Sequence, residues 1–263
     1  MKNKRPLIFI TNDDSFHSNG IRELIDLMKE IGDVLVVAPN AQRSGQSHAI
    51  TVSEPIRYHK VREEEGYRAY ISNGTPVDCV KIAFNMLLKD IRPDILVSGI
   101  NHGSNASINT IYSGTMAAVF EGCAEGVPSI GFSIDDHSSN ADFTYTKPII
   151  RDLVMDVLEN GLEKGVCLNV NFPKNETLGT KICHQAKAYW NEDFIERKDP
   201  SGGNYYWLTG VYKCLEDSPN ADFNALNQGY TTITPMQVDF TAYRMIEKYS
   251  KRFNKLNSQS NVG

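Results

Sequence analysis

From Leu7 to Val170 the chain alternates short aliphatic runs with stretches of helical periodicity, and this alternation constrains the fold more than any other feature. Leu7–Ile10, Val34–Ala38 and Ile95–Val97 carry apolar residues at successive positions, and the mainly apolar Ser129–Ile134 and Val166–Val170 are read as strands with them. A strand built that way must be buried on both faces. Between the runs, Ile21, Leu24, Ile25, Met28 and Ile31 recur at helical spacing, as do Ile149, Ile150, Leu153, Val154 and Val157 within a helix predicted over Pro148–Leu162. Thr75-Pro76-Val77-Asp78 combines a capping hydroxyl, Pro at the first position and an acid in the first turn. It starts a helix through Val80, Ala83, Phe84 and Leu87. Thr115–Ala124 is a further predicted helix. Buried strands separated by helices of about 10–15 residues predict an α/β fold of the doubly wound, Rossmann-like class. It has a mostly parallel sheet in three αβα layers. Right-handed crossovers place the loop after each strand along one sheet edge, where such folds bind ligands.

The character changes after residue 180. Ala188–Lys198 and Tyr205–Tyr212 flank Asp199-Pro200-Ser201-Gly202-Gly203-Asn204, a strong turn signal between aromatic-rich arms. A long β-hairpin follows, and Tyr189, Trp190, Tyr205, Tyr206 and Trp207 point to a subunit contact. The alternative is a hairpin packed on its own domain. A final helix from about Thr241 carries Tyr243, Ile246, Tyr249 and Phe253, and the tail after Lys255 is polar. We therefore divide the 263 residues into a Rossmann-like α/β domain over 1–180 and an extension over 181–263 packed on the same domain.

Hydrophobic residues make up 41% and charged residues 22%, which excludes a disordered chain, and the net charge of −5 argues against stable nucleic-acid or anionic-membrane binding. Small phosphorylated ligands need only a local site and stay open. The five cysteines form no C-x-x-C pair, so zinc-ribbon and thioredoxin readings fail, and reduced thiols in a cytoplasm fit. Met1-Lys2-Asn3-Lys4-Arg5 resembles a signal n-region, but the apolar run behind it stops at Thr11, and no stretch is long enough to span a membrane.

Four polar clusters stand after predicted strands: Thr11-Asn12-Asp13-Asp14, Arg43-Ser44-Gly45-Gln46-Ser47, Ser98-Gly99-Ile100-Asn101-His102-Gly103-Ser104-Asn105, and Tyr112-Ser113-Gly114-Thr115. Adjacent aspartates at a strand mouth repel and call for a cation, although either can simply cap a turn. Joined by Ser44 and Asn101, they form an all-oxygen donor set that suits one Mg²⁺, Mn²⁺ or Ca²⁺ per subunit rather than zinc or copper. Ser113, Gly114 and Thr115 at a helix start supply hydroxyls and free N–H groups for an anion, with a plain helix cap as the alternative. Neither G-x-x-x-x-G-K-[ST] nor G-x-G-x-x-G occurs. His48 and His102 lie beside these loops, but we read them as solvated or hydrogen-bonded side chains rather than catalysts.

These clusters, in this order, resemble the SurE family of survival-protein nucleotidases. The matching stretches are Ile10–Asp14, Val37-Ala38-Pro39 leading to Ser44–Ser47, Asn73–Val80, Ser98–Asn101 with Gly103 and Asn105, and Tyr112–Thr115. Leu168–Asn171, Asp199-Pro200 with Tyr206–Leu208, and Ile233–Pro235 continue the pattern. The resemblance implies a metal-dependent phosphatase acting on nucleoside monophosphates, a 5'-nucleotidase, with 3'-nucleotides and polyphosphate as further implied substrates. It implies metal ligation by Asp13, Asp14, Ser44 and Asn101, and phosphate contacts from Gly45, Asn105, Ser113, Gly114 and Thr115. It also implies a homodimer or homotetramer in which the C-terminal hairpin and helix are exchanged between subunits. Two departures stand out: Ser15 occupies the place of a usual glycine, and Ala106-Ser107-Ile108-Asn109-Thr110 is poorer in glycine than the pattern.

The expected reaction is phosphate-monoester hydrolysis by a water that a cation activates. Asp14 orients or deprotonates that water, with Asp13 the alternative. Two rivals come from other classes. A receiver-like signalling domain lacks its acceptor Asp after a middle strand and its later Lys. A nucleotide- or phosphate-sensing module would bind without turnover.

Overall fold

The protein is described by a computed structural model covering residues 5–254. The polar tail after Lys255 and the basic residues Met1–Lys4 lie outside the described residues. In chain order the elements begin with β1 (Leu7–Thr11), α1 (Asn19–Ile31), β2 (Asp33–Pro39), β3 (Tyr58–Glu64), β4 (Tyr67–Ser72) and α2 (Pro76–Ile82). They continue with β5 (Ile95–His102), α3 (Asn109–Tyr112), α4 (Gly114–Ala124), β6 (Ser129–Ile134), α5 (Thr146–Asn160) and β7 (Val166–Phe172). The last are β8 (Thr180–Ile182), β9 (Ala188–Lys198), β10 (Asn204–Cys214), α6 (Asp222–Asn227), β11 (Thr231–Gln237) and α7 (Tyr243–Phe253).

Nine strands form one sheet in the order β3-β4-β2-β1-β5-β6-β7-β11-β8. The six strands from β4 to β7 are mutually parallel, and β3 and β11 run antiparallel to their inner neighbours β4 and β7. The αβα class expected from the alternation is the class observed. Alternate residues of each central strand enter opposite cores. Ile8 and Ile10 pack with Leu24, Met28 and the α5 residues Ile150 and Val154. Phe9 packs with Val80, Met116 and Val119 on the other face. Strand order therefore reverses between β1 and β5, with α1 leaving to one face and α4 to the other. That leaves a crevice beyond the C-terminal ends of these two strands.

Several elements escaped the periodicity. β3 is exposed along its whole length and charged, as suits a sheet edge, so it carries no apolar alternation. β8 has three residues, and β11 carries Pro235, which weakens a strand signal although its first four residues are buried. Helix α5 ends two residues earlier than predicted, where Gly161 adopts φ 73° at the cap. The β9–β10 hairpin forms a separate two-stranded sheet, registered from Ala188↔Cys214 to Lys198↔Asn204. Tyr206 and Trp207 are 57% and 64% exposed, and α7 buries no residue.

Thr75 starts α2 with a full capping box. Its hydroxyl accepts from the Asp78 N–H at 3.1 Å, and Asp78 accepts the Thr75 N–H at 2.9 Å. Asp78 also accepts the Thr51 N–H at 3.1 Å and the Thr51 hydroxyl at 2.6 Å, which pins the long loop after β2. Asp78→Ala strands these buried donors. It is expected to lower unfolding free energy by about 3 kcal/mol, read as a fall in the urea midpoint.

Candidate active site

The crevice at the strand reversal gathers three of the four polar clusters directly, and the fourth arrives on a loop. Asp13 and Asp14 follow β1. Asn101 lies near the end of β5, where the pairing with β6 shifts between Ser98 and Asn101. Such an irregularity changes where the following side chains aim. Asn101 is buried, and its amide nitrogen donates to the carbonyls of Gly103 at 2.7 Å and His102 at 3.3 Å. Carbonyls only accept, so the nitrogen must face them, and Oδ1 is the atom left for a ligand.

Asp13 is buried, and the Thr115 hydroxyl donates to its Oδ1. Burial pushes the Asp13 carboxyl up to about 6, partly opposed by the Thr115 hydroxyl, while the negative charge of Asp14 raises it further. Gly114 opens α4 directly against this carboxylate. A Cβ there would lie 2.8 Å from the Asp13 Cβ and 3.0 Å from its Oδ2. Ser113 caps α4, its hydroxyl accepting the Met116 N–H at 3.0 Å. The N–H groups of Gly114 and Thr115 precede the first intrahelical bonds, so the positive end of the helix faces the acidic pair.

Asp14 Oδ2 accepts the backbone N–H of His102 and lies 3.0 Å from the His102 ring Nδ1. Gln42 donates to Ser44 Oγ at 3.0 Å and, at a longer 3.4 Å, to Asp14 Oδ1. Ser44 and Gly45 are exposed on the loop after β2. That loop is tied down at both ends: the Arg43 N–H donates to the Asp13 carbonyl at 2.7 Å, and the Ser47 N–H and hydroxyl donate to the carbonyls of Tyr112 and Ile111. Gly45 has φ 71° with open space beyond it, so it is the backbone angle that favours glycine there.

Asn105 sits deeper. Its N–H donates to Asn171 Oδ1 at 2.7 Å and its Nδ2 to Ser133 Oγ at 2.8 Å, while its carbonyl accepts from Asn169 and Thr110. Asn169 and Asn171 thus buttress the β5–α3 connection from β7. Ser15, in the place of a usual glycine, holds φ 84°, a left-handed angle that costs a non-glycine residue. The Asn12 side chain supports that turn by donating to the Ser15 carbonyl at 2.8 Å.

Among the described ion pairs, neither Asp13 nor Asp14 meets a Lys or Arg. Two carboxylates that no described Lys or Arg neutralises, an amide oxygen whose nitrogen is already engaged, and a nearby hydroxyl form a donor set that fits a hard divalent cation. Among the described residues no three His, Cys, Asp or Glu side chains converge as a metal site, so amide and hydroxyl oxygens are needed to complete one.

The family profile described as Survival protein SurE matches residues 8–192. The chain belongs to the SurE family. A relative named 5'-nucleotidase SurE from Christiangramia forsetii is 49% identical over 95% of this chain and 98% of its own length. Another of that name, from Flavobacterium psychrophilum, is 49% identical over 92% and 96%. The crystal structure of the SurE protein from Aquifex aeolicus superposes with a TM-score of 0.80 at 32% identity, covering 94% of this chain and 99% of that one. The SurE resemblance drawn from the four clusters therefore holds over nearly the whole chain. The structure brings Asp13, Asp14, Asn101, Gly114 and Thr115 to one crevice, with Ser44 and Gly45 on the exposed loop after β2, Ser113 buried at the cap of α4 and Asn105 deeper still. Sequence reasoning attached no role to Gln42, Asn169 or Asn171 and set His102 aside. His102, Asn169 and Asn171 act through strands or loops distant in sequence, and Gln42 bonds Ser44 nearby but reaches Asp14 only through the fold.

Proposed function

We propose that this chain is a 5'-nucleotidase that hydrolyses nucleoside monophosphates to nucleoside and inorganic phosphate with the help of one divalent cation. The observation that carries this reading is the acidic pair set against the start of α4, where a negative and a positive electrostatic end share one crevice. Asp13, Asp14, Asn101 and Ser44 would hold Mg²⁺, Mn²⁺ or Ca²⁺. When bound, the cation polarises a phosphoryl oxygen and lowers the pKa of the attacking water.

The chain's own groups do the rest. The hydroxyl of Ser113 and the first N–H groups of α4, at Gly114 and Thr115, stabilise the equatorial oxygens as charge shifts during transfer. The Gly45 backbone lies on the loop next to Ser44, and Asn105 shapes the floor of the phosphate subsite. Asp14 orients the water and takes its proton. The water oxygen bonds to phosphorus, the bond from phosphorus to the ribose oxygen breaks, and that oxygen leaves with a proton as the nucleoside hydroxyl. Thr115, with its hydroxyl on Asp13, keeps that carboxylate facing the crevice. 3'-Nucleotides and polyphosphate present the same terminal phosphoryl group and are the further substrates we propose.

EDTA is expected to reduce phosphate release from a nucleoside monophosphate by at least ~100-fold, with Mn²⁺ restoring it. Activity indifferent to the chelator would overturn the cation's part, and saturable nucleotide binding without phosphate release would leave a sensing module instead.

We further propose that the β9–β10 hairpin and α7 join subunits into a dimer or tetramer. Exposed Trp207, Tyr206, Tyr243, Ile246 and Phe253 support this, since two-stranded ribbons are marginal alone. Light scattering is expected to give at least twice the subunit mass, and a single-subunit mass would refute it. Five cysteines, all free, fit a reducing cytoplasm, and no described helix is long and apolar enough to cross a membrane.

A further inference from the structure

We propose that His102 is a positioning residue that selects which oxygen of Asp14 meets the divalent cation; this rests on the cation site proposed above. Two donors from one residue converge on a single carboxylate oxygen. The His102 main-chain N–H and its ring Nδ1 both lie 3.0 Å from Asp14 Oδ2. A carboxylate only accepts, so the ring presents Nδ1–H to it. Oδ1 receives only the long 3.4 Å contact from Gln42, whose amide sits closer to Ser44 Oγ. Oδ2 is therefore turned toward β5, and Oδ1 is the oxygen presented on the Ser44 side.

The ring itself is held. His102 packs edge-on against Phe143 with ring centroids 5.5 Å apart and planes at 85°. Its side chain is 14% exposed and that of Asp14 only 7%. Nε2 is buried without a hydrogen-bond partner among the described residues, so Asp14 is the one polar group that fixes the ring. Partners that orient a ligating carboxylate commonly change metal affinity 10–100-fold when removed. The main-chain N–H survives every substitution at this position except proline, so the side chain's share is separable.

The test is a direct titration of the substrate-free protein with Mn²⁺, counting free ion by its electron paramagnetic resonance signal. His102→Ala is expected to weaken Mn²⁺ binding by about 10–100-fold. His102→Asn places an amide donor near the position of Nδ1 and is expected to recover affinity to within about threefold of wild type, without change in the melting transition. Should the Ala variant fail to fold, the Asn variant and His102→Leu carry the same comparison. Wild-type affinity in the Ala or Leu variant, or an Asn variant no tighter than Ala, overturns the proposal. Absence of Mn²⁺ binding by the wild type overturns the cation site itself, and the two failures are thereby told apart.

Discussion

Asp14→Asn is expected to leave the protein folded and to lower kcat/KM for nucleoside monophosphate hydrolysis on the order of 10³-fold. The substitution is nearly isosteric. Its amide oxygen can still accept the His102 N–H that Asp14 Oδ2 accepts at 3.0 Å, so the turn after β1 keeps its support. What disappears is a negative charge and a proton acceptor at the mouth of the crevice, and the cation site and the orientation of the water that we propose both depend on them. Phosphate release measured with saturating Mn²⁺, beside a urea denaturation curve, checks both halves of the expectation. Full activity in a folded variant would remove Asp14 from the reaction.

Gly114→Ala tests the opposite wall of the site, and here local propensity and tertiary geometry pull in opposite directions. In an exposed helix, Ala is favoured over Gly by about 1 kcal/mol. At this position the new Cβ would come within 2.8 Å of the Asp13 Cβ, an atom of a buried side chain already fixed by Thr115. Either Asp13 or the start of α4 must move by some tenths of an ångström. A misplacement of about 1 Å costs on the order of 10²-fold where reacting groups must align, and a shift of tenths costs less. We therefore expect kcat/KM to fall about 10-fold, with a melting temperature no higher than wild type. A Gly114→Ala variant that is more stable and fully active would show that the close approach of α4 to Asp13 has no catalytic part.

The parallel core and the candidate site were legible to different depths. Leu7–Ile10 and Val34–Ala38 announce buried strands because a parallel strand covered on both faces has no polar side to interrupt it. The helix start at Thr75 was equally plain, since Thr, Pro and Asp at successive cap positions have few other uses, and its capping box is present. β3 was not legible, because an edge strand exposed throughout carries charge rather than pattern. His102 was visible as a residue but not as a partner. It lies 88 positions from Asp14, and only the pairing of β1 with β5 and the irregularity at the end of β5 set the two side by side.

The sequence by itself determined the fold class and, through the order of its motifs, the SurE family, and it led to the expectation of an oxygen-donor site, because apolar run length, helix caps and polar clusters at strand ends are local properties. Tertiary structure alone decided how those clusters meet. Strand order reverses between β1 and β5, so the acidic pair, Asn101 and the first turn of α4 open into one crevice. There Thr115, read as a phosphate contact, turns its hydroxyl onto Asp13, and His102, read as a bystander, grips Asp14. Hydrogen-bond partners are assigned by proximity in space, and proximity in a parallel sheet is set by crossovers that no local stretch of sequence encodes.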